Sequence, residues 1–238
     1  MDKRLSIIIP LFNEERTLNS ILKKILDVKL LDGIGKEIII IDDCSTDNSN
    51  RIANEFVLMN SGQDFIRIFR NNCNEGKGFS IQRGIKEATG DFLIIQDADL
   101  EYDPFEYNIL LNPIIHDEAD VVYGSRFIGG KPHRILFFWH SIGNKILTFI
   151  SNMFTNLNLT DMETCYKMFR IEIIKSIELK EKRFGFEPEV TAKISKLKDV
   201  RIFEVGISYY GRKFSEGKKI GLKDAFRAFY CILKYNLL

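Results

Sequence analysis

The chain contains a short apolar run that ends in acidic residues: Phe92-Leu93-Ile94-Ile95 is followed by Gln96-Asp97-Ala98-Asp99-Leu100-Glu101. Similar runs, rich in Ile, Val and Phe, occur at 5–11, 37–41, 65–69 and 120–123. Such runs are typical of strands that are covered on both faces. Helical patterns alternate with them, at 14–26, 45–56, 77–88 and 104–115. The alternation predicts an α/β fold with a parallel sheet and right-handed crossovers.

The composition is that of a folded protein with balanced charge. The chain has 238 residues, 45% of them hydrophobic, with 34 Lys and Arg side chains against 33 Asp and Glu side chains. This length accommodates a substantial core without disulfides or structural metals. The apolar content excludes a disordered chain, and the near-zero net charge excludes a strongly basic nucleic-acid-binding protein. We therefore expect a single domain over 1–238 with no nucleic-acid partner.

The pattern of cysteines and apolar runs bears on localisation. The four cysteines lie far apart and form no Cys-x-x-Cys pair, which favours a reducing compartment over a disulfide framework. No run reaches the roughly 18 uninterrupted apolar residues of a membrane span. The first apolar run ends at Asn13-Glu14-Glu15 without a signal-peptide cleavage site. We expect a cytoplasmic protein, held at the membrane surface if it is membrane-associated.

Acidic side chains follow three of the predicted strands. Glu14 follows the first, Asp42 and Asp43 end the second, and Asp97 and Asp99 follow the fourth. Ligands of parallel sheets bind beyond the carboxyl ends of the strands. In an extended chain, Asp97 and Asp99 would lie on the same side and repel each other unless a cation compensates. We favour a divalent metal here over the alternative of a solvated turn whose acids cap a helix.

Basic residues occur where anions could bind. Lys77 lies between two glycines, Gly76 and Gly78, which let the backbone approach a ligand closely. Arg126 follows the predicted strand at 120–123, and its guanidinium can bind phosphate through two hydrogen bonds. The alternative for Arg126 is a salt bridge to a nearby acid. Arg212 precedes a basic stretch that contains Lys213, Lys218 and Lys219, which is either a cover that closes over phosphates or a solvated loop.

These segments together resemble the inverting glycosyltransferases of family 2, which have the GT-A nucleotide-sugar fold. The motifs that carry the resemblance are Pro10-Leu11-Phe12-Asn13-Glu14, Asp42-Asp43-Cys44-Ser45-Thr46-Asp47, Gly76-Lys77-Gly78 and Asp97-Ala98-Asp99. The second half is similar to the dolichol-phosphate mannose synthase branch through Gly124-Ser125-Arg126, 161–167, 184–187 and Tyr210-Gly211-Arg212. Members of that branch move a sugar from a nucleotide to a polyprenyl phosphate. The resemblance extends from about Arg4 to Lys234.

The resemblance implies an architecture and a set of site residues. The architecture is a Rossmann-like, mostly parallel sheet flanked by helices, with a nucleotide-sugar-binding half at 1–125 and an acceptor-side half at 126–238. The implied residues that bind the nucleotide sugar are Pro10, Phe12, Glu14, Asp42, Asp43, Lys77, Asp97 and Ala98. The implied ligands of Mg²⁺ or Mn²⁺ are Asp97, Asp99 and Glu101. The implied catalytic residues are Asp99, Arg126 and Arg212, and those on the acceptor side are Glu187, Lys213 and Lys218.

The chain departs from the family pattern at a few positions. Glu101 stands where many relatives have Gln, which makes the implied metal site more acidic, and Cys44 stands where Gly or Asn is common. The Gln-x-x-Arg-Trp motif of processive synthases does not occur. Polymer synthesis is therefore not expected. The resemblance implies transfer of a single hexose from a UDP- or GDP-linked donor to a polyprenyl phosphate, with inversion at the anomeric carbon.

The nature of the acceptor decides whether a base is needed. A phosphate monoester is largely dianionic at pH 7 and needs no strong base, because its second pKa is about 6. A hydroxyl acceptor must lose a proton to a carboxylate or similar group. Glu187 and Glu189 are candidates for such a base, although both also suit the first turn of a helix. We favour the helix role for Glu189 and keep Glu187 as an acceptor-side residue.

Two segments suit the surface of a membrane. Residues 135–154 are rich in Phe, Ile and Leu and include Trp139, and 222–238 carry apolar residues at helical spacing beside Lys and Arg. Either segment can lie in a membrane interface or pack on the core as an ordinary amphipathic helix. The lipid acceptor implied by the resemblance favours peripheral attachment at the cytoplasmic face of a membrane. The expected partners are a nucleotide-sugar donor, a polyprenyl phosphate and a membrane surface, with a separate membrane subunit as a further possibility.

Rival functions remain open from the sequence alone. One is a glycosyltransferase that acts on a saccharide or protein hydroxyl. Another is a non-catalytic nucleotide-binding subunit, since fold alone does not establish activity. Sugar-nucleotide synthesis is a weaker rival, because no glycine-rich loop for a triphosphate follows the first strand.

Overall fold

A computed structural model describes residues 3–60, 65–132, 134, 135, 137–212 and 221–237. The strands are β1 (Arg4–Leu11), β2 (Gly35–Asp42), β3 (Phe65–Arg70), β4 (Phe92–Ile95), β5 (Val121–Ser125), β6 (Lys167–Arg170) and β7 (Ile202–Gly206). The α-helices are α1 (Leu18–Asp27), α2 (Ser49–Met59), α3 (Lys77–Glu87), α4 (Tyr107–Ile115), α5 (Phe138–Thr155), α6 (Ile171–Ser176), α7 (Phe186–Ile194) and α8 (Leu222–Leu237). Short 3₁₀ helices lie at Leu31–Gly33 and Pro104–Glu106.

The seven strands form one sheet in the order β3-β2-β1-β4-β6-β5-β7. All pairs are parallel except those of β6, which runs antiparallel to both β4 and β5. The isoleucines at the centre of β1, Ile7 to Ile9, are fully buried because helices cover both faces of the sheet. The predicted α/β class with a mostly parallel sheet flanked by helices is confirmed.

Two helices begin later than their sequence patterns predict. The pattern that starts at Glu14 becomes helical at Leu18, and the one that starts at Ser45 becomes helical at Ser49. The intervening residues form loops that hydrogen-bond to each other: the Ser45 hydroxyl accepts from the Asn13 amide at 3.1 Å. Polar residues at these strand ends therefore build the edge of the sheet before each helix starts.

Helix α8 is fastened to the body of the protein by a buried carboxylate. Glu181, which precedes α7, accepts hydrogen bonds from Arg227 at 2.6 Å, Lys234 at 3.1 Å and the Tyr235 hydroxyl at 2.8 Å.

Among the residues that the structure describes, no helix has both the length and the apolarity that crossing a bilayer requires.

Candidate active site

The carboxyl ends of β1, β2 and β4 meet at one edge of the sheet. Leu11 pairs with Asp42 at the ends of β1 and β2, and the Gln96 amide after β4 donates to the Ile8 carbonyl at 2.9 Å. Glu14, Asp43 and the 97–101 segment consequently belong to this same edge, as the sequence predicted.

Asp42 and Asp43 are buried and hydrogen-bonded within the chain. Asp42 accepts from the Ser45 amide at 3.0 Å and the Asn50 side chain at 2.8 Å. Asp43 accepts from the Asn71 side chain and the Gly76 amide, both at 2.7 Å. The two carboxylates therefore fix the loops that border the predicted nucleotide pocket.

The loop that follows β2 also contains an unusual backbone conformation. Cys44 has a φ of 62°, in the left-handed region that favours Gly and Asn. This conformation gives a physical reason for the Gly or Asn that the resemblance leads one to expect at this position.

The glycines beside Lys77 have a packing role. Gly76 has a φ of 103°, and a Cβ atom there would lie 2.5 Å from the Lys182 carbonyl oxygen. A Cβ on Gly78 would overlap the Glu181 carbonyl. The glycines therefore let the start of α3 approach the backbone of residues 181–183, whereas the sequence suggested approach to a ligand.

Arg212 lies at the centre of the acidic cluster. Its guanidinium donates to Asp99 Oδ2 at 2.6 Å, to Glu14 Oε2 at 3.1 Å and to Glu101 Oε1 at 3.2 Å. Burial, together with the charges of Asp97 and Glu101, raises the pKa of Asp99 to about 7, although Arg212 opposes the shift. One cation thus serves three carboxylates, and the cluster retains excess negative charge.

Asp97 faces a different cation. Its Oδ1 lies 2.7 Å from Lys77 Nζ, which also lies 3.9 Å from Glu187 Oε1. Although burial opposes it, the Asp97 carboxylate holds the pKa of Lys77 well above its usual range. The chain leaves the sheet at Ile95, so Asp97 and Asp99 are not two successive same-side positions of one strand. That part of the sequence argument, which assumed an extended chain, is corrected.

The donor atoms of this edge suit a hard divalent cation. Within the described ranges, no group of three or more His, Cys, Asp or Glu side chains is arranged to hold a metal by itself. Mg²⁺ is usually bound by one or two carboxylates together with substrate phosphates and water. Any one or two of the carboxylates of Asp97, Asp99 and Glu101 would serve that mode of binding, in which the substrate completes the coordination.

Arg126 is held by a buried aspartate. Its Nε and Nη2 donate to the two carboxylate oxygens of Asp161 at 2.6 and 2.7 Å, and its guanidinium lies 5.1 Å from the centre of the Tyr209 ring. The salt bridge that the sequence left as an alternative is therefore present. Asp161 positions the guanidinium rigidly at the end of β5.

A cavity of about 200 Å³ adjoins Arg126. Its lining residues are Arg126, Phe127, Arg134, Ile135, Ser141, Lys145 and Tyr209. The cavity combines three basic side chains with an apolar wall. Such a lining suits a phosphate group attached to an apolar chain.

The two glutamates of α7 have different surroundings. Glu189 accepts from the amides of Lys180 and Glu181 at 2.8 and 2.7 Å and from Lys193 Nζ at 2.6 Å. Glu187 is buried and points toward Lys77 without a short hydrogen bond. Glu189 is thus occupied with holding the segment before α7, whereas Glu187 borders the Asp97 side of the edge.

The remaining predicted residues have simpler positions. Pro10 lies within β1 and Phe12 directly follows it, and the Ala98 carbonyl accepts from the Thr17 hydroxyl at 2.9 Å. Lys213 and Lys218 lie outside the described residues.

Sequence reasoning missed several residues of this region. Arg134, Ser141 and Lys145 line the cavity. Ser141 and Lys145 lie in the 135–154 segment, for which the sequence predicted a membrane interface or packing on the core but no ligand site, and Arg134 directly precedes that segment. Asp161 lies in the 161–167 segment that carries the resemblance, but the sequence predicted no role for it. The available signal was the presence of two acids, Asp161 and Glu163, in a segment just before a buried strand.

Comparison with known proteins identifies the family. Residues 6–178 match the model of glycosyl transferase family 2. The chain is 28% identical over 236 residues to the dolichol-phosphate mannosyltransferase of Pyrococcus furiosus, which covers 98% of this chain and 64% of that protein. It is 26% identical over 231 residues to the dodecaprenyl-phosphate galacturonate synthase of Rhizobium johnstonii. That match covers 96% of this chain and 65% of the relative.

A third relative matches along nearly its whole length. The UDP-N-acetylglucosamine–dolichyl-phosphate N-acetylglucosaminyltransferase of Methanococcus voltae is 26% identical over 250 residues, covering 99% of this chain and 97% of that protein. The chain thus spans just under two thirds of the first two relatives and nearly all of the third.

Solved structures support the fold. Glucosyl-3-phosphoglycerate synthase from Mycobacterium tuberculosis, in complex with Mn²⁺, UDP and phosphoglyceric acid, superposes with a TM-score of 0.73 at 18% identity. The match covers 99% of this chain and 79% of that one. The family match extends over most of the chain and agrees with the fold, with the acidic strand ends and with the relatives. The chain therefore belongs to glycosyl transferase family 2.

Proposed function

We propose that this glycosyltransferase moves a single hexose from a UDP- or GDP-linked donor to a polyprenyl phosphate, with inversion at the anomeric carbon. The observation that carries the proposal is the cavity beside Arg126. It places Arg126, Arg134 and Lys145 around about 200 Å³ of space next to exposed apolar side chains. A phosphate with an isoprenoid tail matches both properties of this cavity.

The donor is expected at the acidic edge of the sheet. Asp97, Asp99 and Glu101 would hold Mg²⁺ or Mn²⁺, which would stabilise the negative charge of the leaving diphosphate. Lys77 and Arg212 already contact these carboxylates, so they are placed to bind the phosphate oxygens of the same ligand. The neighbouring structures that contain UDP and Mn²⁺ support a nucleotide and a divalent metal in a protein of this fold.

The acceptor needs placement more than activation. A lipid phosphate is largely dianionic at neutral pH, so an oxygen is ready to attack the anomeric carbon. Arg126, fixed by Asp161 and by the Tyr209 ring, offers a rigid guanidinium to that phosphate. Positioning of the two reactants then accounts for most of the rate enhancement expected from the protein.

The lipid tail requires an apolar path out of the cavity. Ile135 is 86% exposed and Trp139, at the start of α5, is 79% exposed, while Phe226 on the adjacent α8 is 75% exposed. Side chains of this kind insert into the interfacial region of a bilayer. We infer that the protein works at the cytoplasmic face of a membrane, with these residues against the lipid.

The relatives support the acceptor class. The names of the three relatives described above contain dolichol phosphate, dodecaprenyl phosphate and dolichyl phosphate. The sugars in their names differ, so the proposal is for a hexose as a class.

A hydroxyl acceptor is the second candidate. Glu187 is buried beside Lys77 and makes no short hydrogen bond to it, so it is available as a base. Glu187→Gln separates the two functions: a hydroxyl-directed enzyme loses most of its kcat, whereas a phosphate-directed enzyme keeps it within a few fold.

The acceptor site can be tested with farnesyl phosphate and farnesol as probes in titration calorimetry. We expect farnesyl phosphate to bind the wild type and farnesol to bind at least tenfold more weakly, because the basic side chains recognise the phosphate. Arg134→Gln and Lys145→Gln each weaken binding of farnesyl phosphate, and Lys223→Gln, on an exposed part of α8, serves as the control. Equal affinities for the phosphate and the alcohol would contradict the proposal.

A further inference from the structure

We propose that Glu163 binds a hydroxyl group of the transferred hexose and thereby helps to select the sugar. The proposal rests on the proposed function and assigns a specificity residue to the same site.

The position of Glu163 along the chain is the first argument. Two residues earlier, Asp161 holds Arg126 of the acceptor cavity at 2.6 Å. Two residues later, Cys165 Sγ lies 3.3 Å from Lys77 Nζ, which in turn contacts Asp97 of the donor edge. Glu163 therefore lies on the short stretch of chain that connects the two halves of the site.

Unpaired polar atoms are the second argument. Glu163 Oε1 and the hydroxyl oxygen of Thr164 are buried, and neither has a hydrogen-bond partner among the described residues. More than 90% of buried polar groups in native proteins are hydrogen-bonded, and each unpaired one costs about 1–3 kcal/mol. Two adjacent unpaired groups between two ligand subsites indicate a partner that arrives with the substrate.

The charge around Glu163 indicates what that partner is. Burial and the neighbouring Glu187 carboxylate raise the pKa of Glu163 to about 8, so the carboxyl group carries a proton through much of the neutral range. Such a group both donates and accepts a hydrogen bond. Lys167 and Arg126 oppose this shift without cancelling it. A sugar hydroxyl can pair with a protonated carboxyl group, because it too both donates and accepts a hydrogen bond.

Reaction geometry places a sugar there. In a displacement with inversion, the attacking group and the leaving group lie on opposite faces of the sugar ring. If the acceptor phosphate binds at Arg126 and the donor diphosphate at Lys77 and Arg212, then the hexose lies between them. Glu163 and Thr164 are the unpaired groups of that intervening region.

The purely structural alternative is that Glu163 only offsets the buried charge of Lys167. Lys167 already donates to the Thr164 carbonyl and lies 5.1 Å from the centre of the Tyr123 ring. It also interacts with the Glu187 carboxylate. The alternative predicts that a Glu163 variant loses stability, whereas the sugar role predicts a change in ligand selectivity.

The test compares each nucleotide sugar with its own nucleotide. Titration calorimetry with Mn²⁺ measures the Kd of UDP, UDP-glucose, UDP-N-acetylglucosamine, GDP and GDP-mannose for the wild type, Glu163→Gln, Glu163→Ala and Thr164→Val. The exposed Glu178→Gln is the matched control. We expect Glu163→Ala to weaken the preferred nucleotide sugar about tenfold, the effect of one lost hydrogen bond, and to leave the nucleotide within twofold. Glu163→Gln keeps a donor and an acceptor, so it should weaken binding of the preferred nucleotide sugar by less than Glu163→Ala does.

The outcomes separate this proposal from the proposed function. The decisive quantity is the Kd of a nucleotide sugar divided by the Kd of its nucleotide. If the nucleotides bind and this ratio is the same in Glu163→Ala as in the wild type, the sugar role is refuted and the donor site stands. If the wild type binds none of these nucleotides, both are refuted. A fall in the melting temperature of Glu163→Gln without a change in the ratio would assign Glu163 to the support of Lys167.

Discussion

Replacing Arg126 with methionine tests whether the buried Arg126–Asp161 ion pair stabilises the structure around the proposed acceptor site. Asp161 is fully buried, and the substitution removes its two shortest hydrogen bonds, at 2.6 and 2.7 Å. Asn144 Nδ2, at 3.2 Å, cannot neutralise the charge that remains. Removing one partner of a buried ion pair costs about 3–5 kcal/mol. In a domain of this size 1 kcal/mol corresponds to about 2–4 °C, so the melting temperature should fall by about 6–20 °C.

A double-mutant cycle isolates the pair. Asp161→Asn combined with Arg126→Met removes both charges and should regain most of the lost stability, which gives a coupling energy above about 1 kcal/mol. Arg51→Met is the control, because its pair with Glu55 is exposed on a helix and contributes about 0.3–0.5 kcal/mol. Circular dichroism melts measure the four proteins of the cycle, which are the wild type, Arg126→Met, Asp161→Asn and the double variant, and also the Arg51→Met control. A melting temperature of Arg126→Met within 2 °C of the wild type would refute the reasoning.

Three further predictions concern the metal edge, the attachment of α8 and the packing of α3. Asp99→Asn should fold but lose the stabilisation, about 2.7 kcal/mol at a hundred times the Kd, that Mn²⁺ with UDP or GDP gives the wild type in thermal melts; an unchanged shift would contradict the metal role. Although burial opposes it, Arg227 and its neighbours lower the pKa of Glu181 to about 2, so this contribution is complete above about pH 4.5 and is lost as the pH falls toward 2. Glu181→Gln should therefore be about 1–2 kcal/mol less stable than the wild type in urea at pH 7, after allowance for solvent screening, and the difference should shrink at pH 3; a difference that does not depend on pH would be inconsistent with this linkage. Gly84→Ala places a Cβ 2.5 Å from a methyl group of β1 and should cost about 1–3 kcal/mol in urea unfolding, whereas Gly143→Ala, with nothing within 4 Å, should not; equal stability of the two variants would contradict the packing argument.

The first half of the fold could be predicted from the sequence because each strand and helix there carries its own pattern. The apolar runs at 5–11 and 92–95 correspond to β1 and β4. Strand β6 could not be predicted, because Lys167–Arg170 contains only two apolar residues between two basic ones. Its antiparallel place between β4 and β5 depends on contacts with distant strands, which no local pattern encodes.

The site could be predicted by residue type but not by partner. Glu14, Asp99 and Glu101 were each recognised, yet Arg212 reaches them across separations of 198, 113 and 111 residues. The prediction that the Asp97 and Asp99 carboxylates lie on the same side assumed that the chain stays extended beyond Ile95. A turn there sends one carboxylate to Lys77 and the other to Arg212. Spacing of two residues determines a shared side only while the strand continues.

The cavity beside Arg126 shows a similar division. Two roles were open for Arg126 from the sequence, binding a phosphate or forming a salt bridge. In the structure Arg126 forms a salt bridge at the wall of a basic cavity. The two roles are compatible, because a guanidinium has five N–H donors and Asp161 uses only two of them.

Transfer of the sugar itself tests the central claim most directly. The protein is incubated with Mn²⁺, a polyprenyl phosphate in detergent and, in turn, UDP-glucose, UDP-N-acetylglucosamine or GDP-mannose, and the lipid is analysed by mass spectrometry. The account predicts that one of these donors yields a polyprenyl phosphate that carries a single hexose unit, and that the product is lost with chelator and in Asp99→Asn. Nucleotide binding without any glycosylated lipid, together with transfer to a hydroxyl acceptor that depends on Glu187, would contradict it.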